Sequence, residues 1–194
     1  MKELITVFVL LFLIPVTAQN VLSEDIQINM AVSAAPEMYK KDATVIGYNK
    51  EGKLVTLRKG SNHMVCLADD PSKEGISIAC YGKELEPFMA RGRELIAEGK
   101  SEKEKREIRQ KEFEEGKLKM PEEVTMVYVL TADEEDLDRK TGEFSTSYIR
   151  YVFYKPYMTT ESTGLPDKPQ AAGMPWLMDA GTHRSHIMIT PPRP

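Results

Sequence analysis

The sequence predicts an α+β domain: a mostly antiparallel sheet, a charged helical insertion between its two halves, and one disulfide in the first half. Three observations carry that expectation. Short apolar runs bounded by turn residues recur before residue 83 and after residue 124, as strands require. Residues 84–117 switch to helix formers, with apolar side chains at helical spacing. The only two cysteines, Cys66 and Cys80, fall in two neighbouring strand-like runs.

Residues 1–18 read as a cleaved secretory signal peptide. Lys2 and the amino terminus supply the positive end, Leu4 to Ile14 the apolar run, and Val16-Thr17-Ala18 the small residues at the cleavage site. The apolar run is shorter than the roughly 20 residues that span a bilayer, and Pro15 interrupts it. The mature chain is then expected to be a single domain over residues 19–194, working in the periplasm or outside the cell. No later stretch is apolar enough to be a transmembrane segment. The net charge of −4 gives no general attraction to nucleic acid or to an anionic membrane.

Residues 19–42 are mixed in character and read as a lead-in segment. Thr44 to Tyr48 and Lys53 to Arg58 form the first hairpin, with Asn49 to Gly52 as its turn. Gly60-Ser61-Asn62 turns the chain into the next pair of strands, His63 to Ala68 and Ile76 to Tyr81. Side chains alternate along a strand, so Met64 and Cys66 share a face of the first strand, and Ile76, Ile78 and Cys80 share a face of the second. Both sulfurs can therefore point to one side. In an exported chain an even pair of cysteines is expected to be bonded, and closing their loop is worth about 3 kcal/mol by loop-closure entropy. A two-cysteine zinc site or a catalytic thiol lacks support, because a closed metal site needs further ligands at close spacing.

Leu85, Phe88, Met89, Leu95 and Ile96 give the first inserted helix an apolar stripe, and Gly99 marks its end. Ser101-Glu102-Lys103-Glu104 reads as a capping box that opens a second helix, stopped by Gly116. Ile108 and Phe113 are its chief apolar residues, and the pairs Glu102–Arg106 and Glu107–Lys111 are spaced to attract. Residues 83–117 carry ten basic and ten acidic side chains, which argues for a solvated helical excursion over a nucleic-acid patch. Val124 to Ala132 is the best candidate for a central strand, and Ser147 to Tyr154 for its aromatic partner across the acidic turn Asp133 to Gly142. Residues 156–175 form a long loop, and His186 to Thr190 a last short strand.

Chemistry is sparse. The acidic run 133–138 fails the calcium-loop pattern, because Lys140 and Thr141 stand where an oxygen ligand and a glycine belong. His183 and His186, with Trp176, Asp179 and Arg184 nearby, form the other polar concentration. On a strand that spacing places the two imidazoles on opposite faces, and the glutamate of His-Glu-x-x-His is missing, so a zinc site is disfavoured. His186 reads as a hydrogen-bonded histidine near the sheet end. Neither a Gly-x-Ser-x-Gly elbow nor a phosphate loop occurs.

Ala43-Thr44-Val45, Leu57-Arg58-Lys59-Gly60-Ser61-Asn62, Cys66-Leu67-Ala68-Asp69-Asp70-Pro71, Cys80 and His186-Ile187-Met188-Ile189 together resemble an uncharacterised family of small secreted bacterial proteins. The resemblance covers residues 31–81 and the C-terminal strand. It departs at His63-Met64-Val65, where the family has Gly-Trp before the cysteine, and in the length of residues 83–120. It implies no known activity, but it singles out Asn62 and His186 as positions matching the motif.

The sequence therefore favours a non-enzymatic binding or interaction module, with Asn62, Trp176, Asp179, His183 and His186 as candidate binding residues. No catalytic residue, metal or cofactor is expected, and the partner is a small molecule or an envelope protein. Two further readings stay open. One is a hydrolase or metal-dependent enzyme with its site near His186, and the other a structural component of an envelope assembly.

Overall fold

A computed structural model describes residues 21–193, and the expected signal peptide lies outside the described residues. The strands are β1 (Thr44–Tyr48), β2 (Leu54–Arg58), β3 (Met64–Leu67), β4 (Ile76–Gly82), β5 (Thr125–Ala132), β6 (Tyr148–Tyr154), β7 (Trp176–Met178) and β8 (His186–Ile189). They form one mixed sheet in the order β2-β1-β3-β4-β5-β6-β8-β7. Every neighbouring pair is antiparallel except β1 and β3, which run parallel.

The parallel pair arises from a short crossover. The chain leaves β2, passes the end of β1 and enters β3 on its far side. Gly60 lies so close to residues 42–44 in that passage that a Cβ would sit 2.3 Å from their backbone. Only glycine permits the approach. Asn62 then fixes the turn: its Nδ2 donates to the Tyr39 carbonyl at 2.7 Å, and its Oδ1 accepts from the Met64 N–H at 2.8 Å.

Alternation along the strands builds a core on each face of the sheet. Val45, Met64, Cys66, Ile76, Ile78, Cys80 and Leu130 pack on one face with Met30, Ala31, Ala34 and Ala35. Those alanines and Met30 belong to α1 (Glu24–Val32) and to the segment leading into α2 (Glu37–Lys40). Val65, Tyr81, Val127 and Val152 pack on the other face with Leu85, Phe88 and Leu118. That face is covered by the inserted hairpin, α3 (Glu86–Ala97) and α4 (Glu102–Glu114). The result is three layers, helix, sheet and helical hairpin, with apolar burial supplying most of the cohesion.

Cys66 and Cys80 are bonded. They face each other directly in the β3–β4 ladder, with Cα atoms 4.1 Å apart, and both are fully buried on the α1 side. The capping box at Ser101 is present, with the Ser101 side chain accepting from the Glu104 N–H and Glu104 from the Ser101 N–H.

Several expectations need correction. The lead-in segment contains α1, anchored by the buried Gln27, which bonds both backbone groups of Tyr48. The long loop carries a one-turn helix, α5 (Thr160–Thr163), and runs directly into the unforeseen edge strand β7. The helical insertion is no solvated excursion, since Leu85, Phe88 and Phe113 pack against the sheet core. On α4 the expected pairs are replaced by Glu102–Lys105 and Lys103–Glu107. Its one buried residue is Arg109, whereas Ile108 and Phe113 are only partly buried.

Candidate functional site

Four of the five candidate residues gather on one side of the C-terminal part of the sheet, the side that carries α3 and α4. Cross-strand register puts Tyr154, His186 and Met178 in one row, and Val152, Met188 and Trp176 in the next. Asn62 lies elsewhere. β4, β5 and β6 intervene between β3 and β8, which is four strand spacings, on the order of 19 Å. Its side-chain bonds to Tyr39 and Met64 give it a turn-forming role.

The first part of the site is a buried polar cluster where the β7–β8 loop meets the helical hairpin. His183 and His186 both turn toward the hairpin side, against the expectation of opposite faces. The reason is that His183 precedes the strand, in a tight turn closed by the Ser185 N–H bonding the Thr182 carbonyl. Asp179 enters that loop with φ 53°, a left-handed conformation that aspartate tolerates better than most residues. Ser185 fastens the loop to the end of β6, its hydroxyl donating to the Lys155 carbonyl and accepting from the Met158 N–H. No imidazole takes the serine proton, so no nucleophile and base pair is formed there.

Each imidazole has one nitrogen committed. His186 stacks on Tyr154 with ring centres 4.6 Å apart, and its Nδ1–H donates to the Arg184 carbonyl at 2.8 Å. His183 lies between Phe113, which stacks on it at 5.3 Å, and the edge of Phe88, and its Nδ1 bonds Gln110 Oε1. The amide oxygen only accepts, so His183 carries its proton on Nδ1. Its Nε2 is buried without a partner among the described residues. Burial, then the cations of Arg109 and Arg184, pull the His183 pKa down to about 4. Burial likewise lowers that of His186. Both rings are neutral at pH 7. Asp179 and Arg184 form an ion pair at 2.8 Å, though not aligned as a hydrogen bond. Among the described residues no group of three or more His, Cys, Asp or Glu is placed to hold a metal ion.

The second part is an open groove of about 950 Å³ on the same face. Its floor is the outward row of β6, β8 and β7, with Tyr148, Arg150, Met188, Trp176 and Met178, and its walls are residues 169–174 and the tail 190–193. Trp176 thus meets the end of the long loop, since Met174 lines the same groove. Met174 and Met178 are exposed. Arg150 and Arg193 line the groove, and none of its lining residues is acidic, in a chain of net charge −4. Asp133 and Asp136 lie beyond Tyr148 in a smaller neighbouring cleft.

Sequence reasoning missed Arg109, Gln110, Ser185 and Arg150. Nothing in the sequence sets Arg109 apart from the other basic residues of α4. Arg150 carries a period-two signal, facing the same side as Tyr148 and Val152, and was hidden by its aromatic neighbours.

Fold and site together define an α+β chain with a cross-strand disulfide and an open, acid-free groove beside a buried arginine–histidine cluster. No protein-family model, curated protein or solved structure matches this chain.

Proposed function

We propose that this chain is an exported, non-enzymatic interaction module that receives an apolar, acid-bearing peptide segment of a partner protein in the groove over β6, β8 and β7. The observation that carries the reading is the groove's composition: one tryptophan, three methionines and a tyrosine, with two arginines and no acid among the lining residues. Methionine side chains re-pack around varied shapes, and an indole supplies the kind of anchor that dominates binding energies. The groove is open along its length, which suits an extended segment better than an enclosed small molecule. Strand addition at the β7 edge is disfavoured, because the outward Leu177 N–H already bonds the Pro166 carbonyl. The buried disulfide supports export, since such bonds persist in oxidising compartments.

Trp176 is the only tryptophan in the chain, so its emission reports on the groove directly. A displayed random-peptide library selected on the wild-type protein is expected to enrich sequences combining Leu, Phe or Met with Asp or Glu. Synthetic versions should blue-shift Trp176 emission, and Arg150→Glu should weaken them at least tenfold, about 1.4 kcal/mol. Enrichment of basic peptides, or affinity unchanged by Arg150→Glu, sinks the reading.

A further inference from the structure

Arg109 is the one buried residue of α4, at 7% exposure, and it is a cation without a counter-ion. Its Nη1 donates to the Phe88 carbonyl at 3.2 Å, and its guanidinium lies 3.9 Å from the centre of the Phe88 ring. Its Nε has no partner, and no carboxylate lies within ion-pair distance among the described residues. The other groups around it do not repair this. Arg184 is also cationic and keeps an unpaired Nε, Asp179 pairs with Arg184, and His183 is neutral with an unpaired Nε2. The pocket for Arg109 is nonetheless built: Gly92 on α3 makes room, and a Cβ there would come within 3.0 Å of Nη1.

A buried guanidinium without an anion is destabilising, and replacing it with an apolar side chain of similar size would relieve the fold. Such a residue is expected where stability is traded for recognition. We propose that Arg109 and Arg184 form a binding site for a free oxyanion of the phosphate class, closed in this structure between α4 and the β7–β8 loop, with the bare Nε2 of His183 accepting from the P–OH of a hydrogen phosphate. The site stands apart from the groove and does not depend on it. α4, which carries Arg109, is suited to swing away from Arg184 and His183 and return. The helix is bounded by Gly99 and Gly116, both at positive φ, and only Arg109 among its residues is fully covered. Burial and the proximity of Arg184 already pull the Arg109 pKa down to about 10, a strain that an incoming anion relieves.

The test uses inorganic phosphate against sodium chloride of equal ionic strength, with thermal midpoint and hydrogen exchange over residues 101–117 as readouts. Wild-type protein should show a saturable, phosphate-specific rise in midpoint and slower exchange in α4. Arg109→Met should start from a higher midpoint than wild type and lose the phosphate response, while the exposed control Arg106→Met keeps it. A wild-type response equal to that in chloride overturns the proposal. So does an Arg109→Met protein that is less stable or fails to fold, because Arg109 would then be a net support of the structure.

Discussion

Asp69 sits partly buried where the chain leaves β3, its Oδ1 accepting from the Ser77 N–H at 2.8 Å. Burial is the main reason its carboxyl is pushed up to about 6, and the nearby charges of Glu134 and Asp70 add to it. An acid whose folded pKa exceeds its unfolded value of 3.8 holds more protons in the folded state. Folding is therefore favoured most below pH 3.8, and that contribution is lost as pH rises through about 6. Asp69→Asn keeps an oxygen for Ser77 and removes the charge. Its thermal midpoint at pH 7 should equal or exceed wild type by a few degrees, with a flatter pH profile across that window. A clear fall at pH 7 would show that the carboxylate itself is needed. The histidines, Asp179 and Trp176 were legible because polar and aromatic residues crowd a short segment near the C-terminus. Arg109 was not, since its burial depends on how α4 docks on α3, and nothing local separates it from Arg106 or Lys105.

At the scale of elements, strand faces were readable because burial alternates with a period of two. Met64 and Cys66 do share their face with Ile76, Ile78 and Cys80. α1 was hidden for the same reason inverted: Ile26, Ile28 and Met30 alternate with Gln27 and Asn29, a strand-like spacing on a segment that the sheet holds as a helix. The parallel pairing of β1 with β3 was invisible because it depends on which side of β1 the chain passes after Gly60. The disulfide gives a prediction at this scale. Full-length chain expressed in a bacterial host should yield a species beginning at Gln19 and two protons lighter than its reduced form. Its thiols should resist alkylation until the fold is denatured and reduced. The Cys66→Ala, Cys80→Ala double variant should lose about 3 kcal/mol, read from chemical unfolding. Free thiols in native protein recovered from the periplasm would sever the link between compartment and crosslink.

The whole molecule is layered, so protection should be layered as well. β4 and β5 lie in the middle of the sheet and pair along most of their length, with α1 on one face of the sheet and the helical hairpin on the other. Their amides can exchange only when the packing on both faces opens, so they should report the global unfolding free energy. α4 is the opposite case. Its contact with the body runs through Arg109, the Gln110–His183 bond, the partly buried Phe113 and the Arg91–Glu112 pair. The bidentate Arg91–Glu112 pair ties α4 only to α3 and not to the sheet, and the buried arginine works against docking. Hydrogen exchange of the full chain should therefore show β4 and β5 as the slowest segments, with residues 102–114 exchanging orders of magnitude faster through a local opening. The opening should leave α3 largely protected, because Leu85 and Phe88 also pack in the sheet-face cluster with Val65, Tyr81, Val127 and Val152. Exchange in α4 as slow as in β5 would mean that the hairpin opens only with the whole fold, and α4 could not then lift Arg109 by itself away from Arg184 and His183.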